Sequence, residues 1–149
     1  MYSAWRNNTS GKTSVYDNGI LINGSVTDPI EVVINTNGGT VSGTVARAGQ
    51  QAVAQGTMVV LIPPEERRQN LALYRTTLTN AEGRFTMTGI PPGPYKLFAW
   101  EGIPAGAHQN AAFVKSYEDK GAAILVPAGG AISQAVTLIP AGSAPVRNR

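Results

Sequence analysis

The stretch GRFTMTGIPPGPYKLFAW (Gly83–Trp100) decides how this chain folds. Phe85 and Met87 alternate with Arg84, Thr86 and Thr88, the period of two that marks a half-buried strand. Pro91, Pro92 and Pro94 then interrupt it, because proline has no N–H to give a ladder and its φ is fixed. The alternation resumes at Tyr95. Tyr95, Leu97 and Ala99 fall on one face, and Lys96, Phe98 and Trp100 on the other. Two strands about a sharp turn leave one question open: what covers the second of those faces.

Working outward, the 149 residues include 17 glycines and 10 prolines spread along the chain, with 42% hydrophobic and 14% charged residues. That is the composition of many short strands joined by turns, with enough apolar residues for a core. PIEVVINTNGG carries a strand of β-branched residues at Ile30, Val32, Val33 and Ile34, opened by Pro29. In GTVSGTVARAG, Val41 and Val45 share a face with the small Gly43 between them. Thr57–Ile62 is a near-continuous apolar run suited to a central strand, and PPEERRQN after it is a charged surface loop able to hold a helical turn. Hairpin turns are expected at Asn80–Gly83 and again at Ile90–Pro94. The segment Ala105–Lys120 is the least strand-like and predicts a short helix ending at Gly121. AAILVP and ISQAVTLIP are the last two strands.

The pattern predicts an all-β, Ig-like antiparallel sandwich of about seven strands over residues 38–140, with 141–149 as a tail lacking core residues. VYDNGILINGSVTDPIEVVIN near the start echoes SYEDKGAAILVPAGGAISQAVTLIP near the end. Residues 1–37 therefore read as the closing strands of a preceding β module, or as an N-terminal extension.

With GTVSGTVARAGQQAVAQGTMVVLIP and TTLTNAEGRFTMTGIPPGPYKLFAWE both in view, the chain resembles the carboxypeptidase regulatory-like domains, which are prealbumin-like (transthyretin-like) sandwiches. The matching positions are Gly43–Val45, Gly56–Leu61, and Thr79 through Gly83, Phe85, Gly93, Tyr95 and Leu97, within a span from Gly38 to Pro140. LFAWE, YEDKG and LIP are similar to the multi-repeat versions of soil bacteria such as acidobacteria. The resemblance implies a non-catalytic accessory of an exported or cell-envelope bacterial protein. Some related surface sandwiches close a Lys–Asn isopeptide bond from a lysine on the first domain strand, and Gly39–Ala48 contains none.

The residues themselves exclude several chemistries. There is no cysteine, so no disulfide and no thiolate. His108 is the lone histidine, and nothing places a serine and an aspartate about it or completes a zinc site. Glu65 and Glu66 sit beside Arg67 and Arg68 in a solvated charge cluster, and Asp17, Asp28, Glu118 and Asp119 lack the spacing of a calcium loop. NTNGG and PAGG precede strands, whereas a phosphate cradle needs a helix N-terminus. The net charge of +3 forms no basic stripe, so nucleic acid is not an expected partner. No window approaches eighteen apolar residues, so no span is expected, and the start is not a signal peptide. Work outside the cytoplasm would need a signal on sequence missing from this chain.

No catalytic residue, metal or cofactor is expected, and the chain is read as a non-enzyme. The candidate ligand-binding residues are Trp100, Phe98 and Tyr74, whose rings would stack on a sugar if they face solvent. The competing expectation is that Ala105–Tyr117, carrying Phe113 and Tyr117, folds over them. Partners are then a protein or a second copy at an edge strand, or a polysaccharide. Three functions follow: a structural or interaction module, a carbohydrate-binding module, and a self-assembling surface or filament subunit exchanging strands through its N-terminal segment.

Overall fold

The structure, a computed structural model, describes residues 2–8, 11–14, 23–24, 30–34, 36–49 and 54–143, and describes the three strands before residue 36 by their backbone. Those strands, β1 (Tyr2–Asn8), β2 (Gly11–Ser14) and β3 (Ile30–Ile34), form an antiparallel sheet of their own in the order β2-β1-β3. The expected strand in Ile30–Ile34 is therefore present. The polar opening residues, which carry no strand pattern, also enter this ladder, because pairing is made by backbone groups that every residue but proline supplies in full. The apolar run expected in SVYDNGILING lies largely outside the described residues.

Seven strands make the sandwich: β4 (Gly39–Ala46), β5 (Met58–Ile62), β6 (Arg75–Leu78), β7 (Arg84–Ile90), β8 (Gly93–Trp100), β9 (Ala122–Val126) and β10 (Ala131–Ile139). The pairing order is β6-β5-β8-β10-β4-β7, with β9 on the first half of β8. β10 joins the two layers. Its residues 131–137 pair with β4, and Leu138 and Ile139 pair with Ala99 and Trp100 of β8. Between the layers lie Val41, Val45, Phe85 and Met87 from one side and Leu61, Tyr95, Leu97 and Ile124 from the other, all buried. The two faces of β8 are thus as the alternation predicts.

Two features of the topology depart from the sequence reading. Neither Asn80–Gly83 nor Ile90–Pro94 closes a hairpin, since β6 and β8 bond to β5 while β7 bonds to β4. Both turns carry the chain from one layer to the other. Alternation gives a strand and its faces but not its partner. The first turn is built as its residues suggest: Asn80 Oδ1 accepts from the N–H groups of Glu82 and Arg84, and Gly83 takes φ 66°. The second departure is that β10 runs parallel to both β4 and β8, where an antiparallel closing strand is expected.

Between β8 and β9 the chain forms the cap expected in Ala105–Lys120: a 3₁₀ turn at Ala107–Gln109, the helix α1 (Ala111–Lys115) and a 3₁₀ turn at Glu118–Lys120. Asn110 starts α1 by accepting the Phe113 N–H on its side chain at 3.1 Å. At Gly121 a Cβ would stand 2.5 Å from Phe98 Cζ, so only glycine lets the chain cross that ring.

Candidate functional site

β5 and β8 turn Val60, Ile62, Phe98 and Trp100 away from the core, and Tyr74 and Ile139 extend the same face. The sequence-predicted residues Trp100, Phe98 and Tyr74 are therefore brought together. Phe98 and Trp100 stack, with centroids 4.8 Å apart and planes at 7°. The cap fills their exposed side. Tyr117 meets Trp100 edge-on at 6.0 Å, Phe113 lies 5.9 Å from it, and Val114 is fully buried against the cluster. Phe98 and Trp100 keep 0% and 1% of their surface and Tyr74 keeps 7%. The condition attached to sugar stacking was rings in solvent. These rings are occupied by their own chain.

Polar groups fasten the cap near its C-terminal end. Glu118 bonds Lys96 Nζ of β8 at 2.9 Å and Arg68 of the β5–β6 loop at 3.2 Å. Lys96 also donates to the Glu118 carbonyl, and Arg68 Nε to the Pro63 carbonyl. Partial burial pushes the Glu118 carboxyl up, but the bonds and charges of Lys96 and Arg68 together hold it below the usual range. Tyr117 donates its hydroxyl to the Ser143 carbonyl at 2.5 Å, tying the cap to the chain that leaves β10. Nearby, Glu101 accepts from Arg47 at 2.5 Å and from the Ala141 N–H at 3.1 Å, and both bonds depress its pKa.

Tyr74 donates to the Arg68 carbonyl at 3.2 Å; burial raises its pKa against a smaller opposing pull from Arg68. His108 lies 6.3 Å from the Tyr74 ring, and burial lowers its pKa. His108 Nδ1 and Trp100 Nε1 are buried without a hydrogen-bond partner among the described residues. A cleft of about 250 Å³ opens beside the Glu118 cluster, between Pro63, Pro64, Pro94, Tyr95 and Ile124. Glu65 and Glu66 sit exposed in a 3₁₀ turn, and among the described residues no three His, Asp or Glu side chains gather as metal ligands would. Among the described residues no helix is long and apolar enough to cross a membrane.

The Glu118 cluster is what sequence reasoning missed. Its partners lie 50 and 22 residues away, and no local pattern links them.

The family model described as "BOS complex subunit NOMO1-like, second beta sandwich domain" matches residues 36–104, which take in β4 to β8. No curated protein matches the sequence. Among solved structures, the chain is similar to the BcpA major pilin subunit of Bacillus cereus (D312A form) at 14% identity and TM-score 0.45, over 75% of this chain and 32% of that one. It is similar to the group B streptococcus pilus 2b backbone protein at 18% identity and TM-score 0.45, over 80% of this chain and 47% of that one. It is also similar to PA1324 of Pseudomonas aeruginosa, a suggested carbohydrate binding protein, at 14% identity and TM-score 0.42, over 68% of this chain and 89% of that one. The chain thus spans less than half of either pilus protein.

Proposed function

We propose that the sandwich is a non-enzymatic structural or interaction module, one link in a longer bacterial protein of the cell envelope or cell exterior. The observation that carries this reading is the path of the chain. It arrives at Gly39 and departs at Ile139, at opposite ends of the parallel β4–β10 pair, a path that suits a link in a series. Two further points support it. The matched family model is a second sandwich, hence one of a series, and the separate β1–β3 sheet fits the closing strands of a preceding module over residues 1–37. The bacterial and envelope setting, and the carboxypeptidase regulatory-like label, rest on the sequence resemblance alone.

The other two readings ask more of the molecule. Sugar stacking on Trp100, Phe98 and Tyr74 requires the cap to lift from rings it now fills. Strand exchange through the N-terminal segment requires β1–β3 to give up their pairing with one another. Fractionation of the source cells, with an antibody to the sandwich, checks the proposal. The chain is expected in the envelope or the medium, and a wholly cytoplasmic distribution would sink it.

A further inference from the structure

We infer that the β4–β10 pair is a mechanical clamp, and that the module's activity is to resist tension along the chain without unfolding. The inference rests on the reading as a link in a series and adds what that link does. Seven residue pairs, from Thr40↔Ala131 to Ala46↔Thr137, join the first and last strands of the sandwich side by side in the same direction. At about 3.3 Å per residue the paired length is roughly 23 Å. Pulling the arriving and departing chain apart drags β4 toward its start and β10 toward its finish. The strands must then slide lengthwise, and the ladder bonds between them load together. Had the closing strand run antiparallel to the first, both chain ends would leave from one end of the pair, and the bonds would break one at a time.

The surroundings of the pair suit this task. At Gly43 a Cβ would fall 1.8 Å from the Gln134 carbonyl oxygen, so the two backbones touch where any side chain would part them. Ser42 adds a side-chain bond across the pair to the Ile132 carbonyl at 3.3 Å. Both ends are pinned. Where the chain arrives, Gly129 N–H donates to the Asn37 carbonyl at 3.0 Å and Thr40 N–H to the Gly130 carbonyl at 2.8 Å. Where it departs, Glu101 N–H donates to the Ile139 carbonyl at 3.0 Å, the Ala141 N–H donates to the Glu101 carboxylate, and Tyr117 donates to the Ser143 carbonyl. On its far edge β4 is paired with β7, whereas residues 131–137 of β10 pair with β4 alone and β10 passes to β8 only at Leu138 and Ile139.

The test pulls the full 149-residue chain in two directions, by single-molecule force spectroscopy. The protein has no cysteine, so pairs of introduced ones are unique handles, and the three positions used are exposed. Thr36→Cys with Ala141→Cys loads the pair in shear. Ala48→Cys with Ala141→Cys pulls on neighbouring ends, since Ala48 and Pro140 line one cleft, and peels the strands apart. Unfolding under force is set by the barrier along the pulled direction rather than by equilibrium stability. The shear pair is expected to unfold at several-fold higher force than the peel pair, with the two proteins equally stable to denaturant. Equal forces, or a weaker shear direction, would overturn the clamp and leave the fractionation test of the module reading untouched.

Discussion

Strand β8 presents two apolar faces that are sealed by different means. Tyr95, Leu97 and Ala99 face the opposite layer, whose strands are held by backbone ladders. Phe98 and Trp100 face a cap containing a five-residue helix, which is far too short to stand without its packing. That cap is held by ring contacts, by Glu118 on Lys96 and Arg68, and by Tyr117 on Ser143. The difference teaches where each face can fail. The inner one opens only when the ladders break, so it opens with the whole sandwich. The outer one can open by loss of a few side-chain contacts while the ladders persist.

Truncation on either side of β8 breaks the comparison most sharply. Trp100→Ala removes the ring on which Tyr117 and Phe113 rest and is expected to cost about 4 kcal/mol. Much of that loss should appear locally, as fast amide exchange in residues 105–120 under conditions where β4 and β10 stay protected. Leu97→Ala, on the inner face, is expected to cost about 3 kcal/mol and to speed exchange evenly across the sandwich. Cap and ladder amides accelerating alike in Trp100→Ala would show that the two faces fail together.

A smaller cut sharpens the same contrast. Tyr117→Phe keeps the ring in the cluster and deletes only the bond to the Ser143 carbonyl, worth about 1 kcal/mol. Its effect should be confined to the cap and the turn at Pro140–Ser143, read as increased exchange there with the denaturation midpoint nearly unmoved. A midpoint loss as large as that of Leu97→Ala would mean the outer seal is part of the global core.

Much of this fold is legible in residue patterns, and the limits of legibility are physical. The faces of β8 follow from a period of two, and the cap from the loss of that period after Ala105 together with Gly121. Strand partners are different. Asn80–Gly83 has the residues of a tight turn, and the same residues serve a hairpin or a corner between layers; the choice is made by packing far away in sequence. The parallel course of β10 is invisible for the same reason, since its own alternation is the same in either direction. At the candidate site, the gathering of Trp100, Phe98 and Tyr74 could be read, but not the fastening of what lies over them. Glu118 stands in a charged run like any solvated turn, and only the fold brings Arg68 and Lys96 to it.

Glu118 also sets the finest test, because its contribution depends on pH. Its pKa is held below the usual carboxylate value, so the folded chain prefers the ionised form more than the unfolded chain does. The stabilisation is therefore fully present above the unfolded value, near 4.3, and is lost as pH falls through the lower folded one. The side chain is about one-third exposed, which screens the pair and limits the effect to below about 1 kcal/mol. Glu118→Gln should thus be slightly less stable than the parent at neutral pH, and the gap should narrow as pH falls below the unfolded value and the parent carboxyl takes up its proton. Protection of the amides in 105–120, taken relative to their intrinsic exchange rate at each pH, should follow the same course, falling in the parent on acidification and changing less in the variant. Were the stability gap to stay unchanged across the whole acid titration, the carboxylate's charge would not be what holds the cap. The outer face would then rest on its rings alone, and the contrast with the inner face would narrow to one of packing.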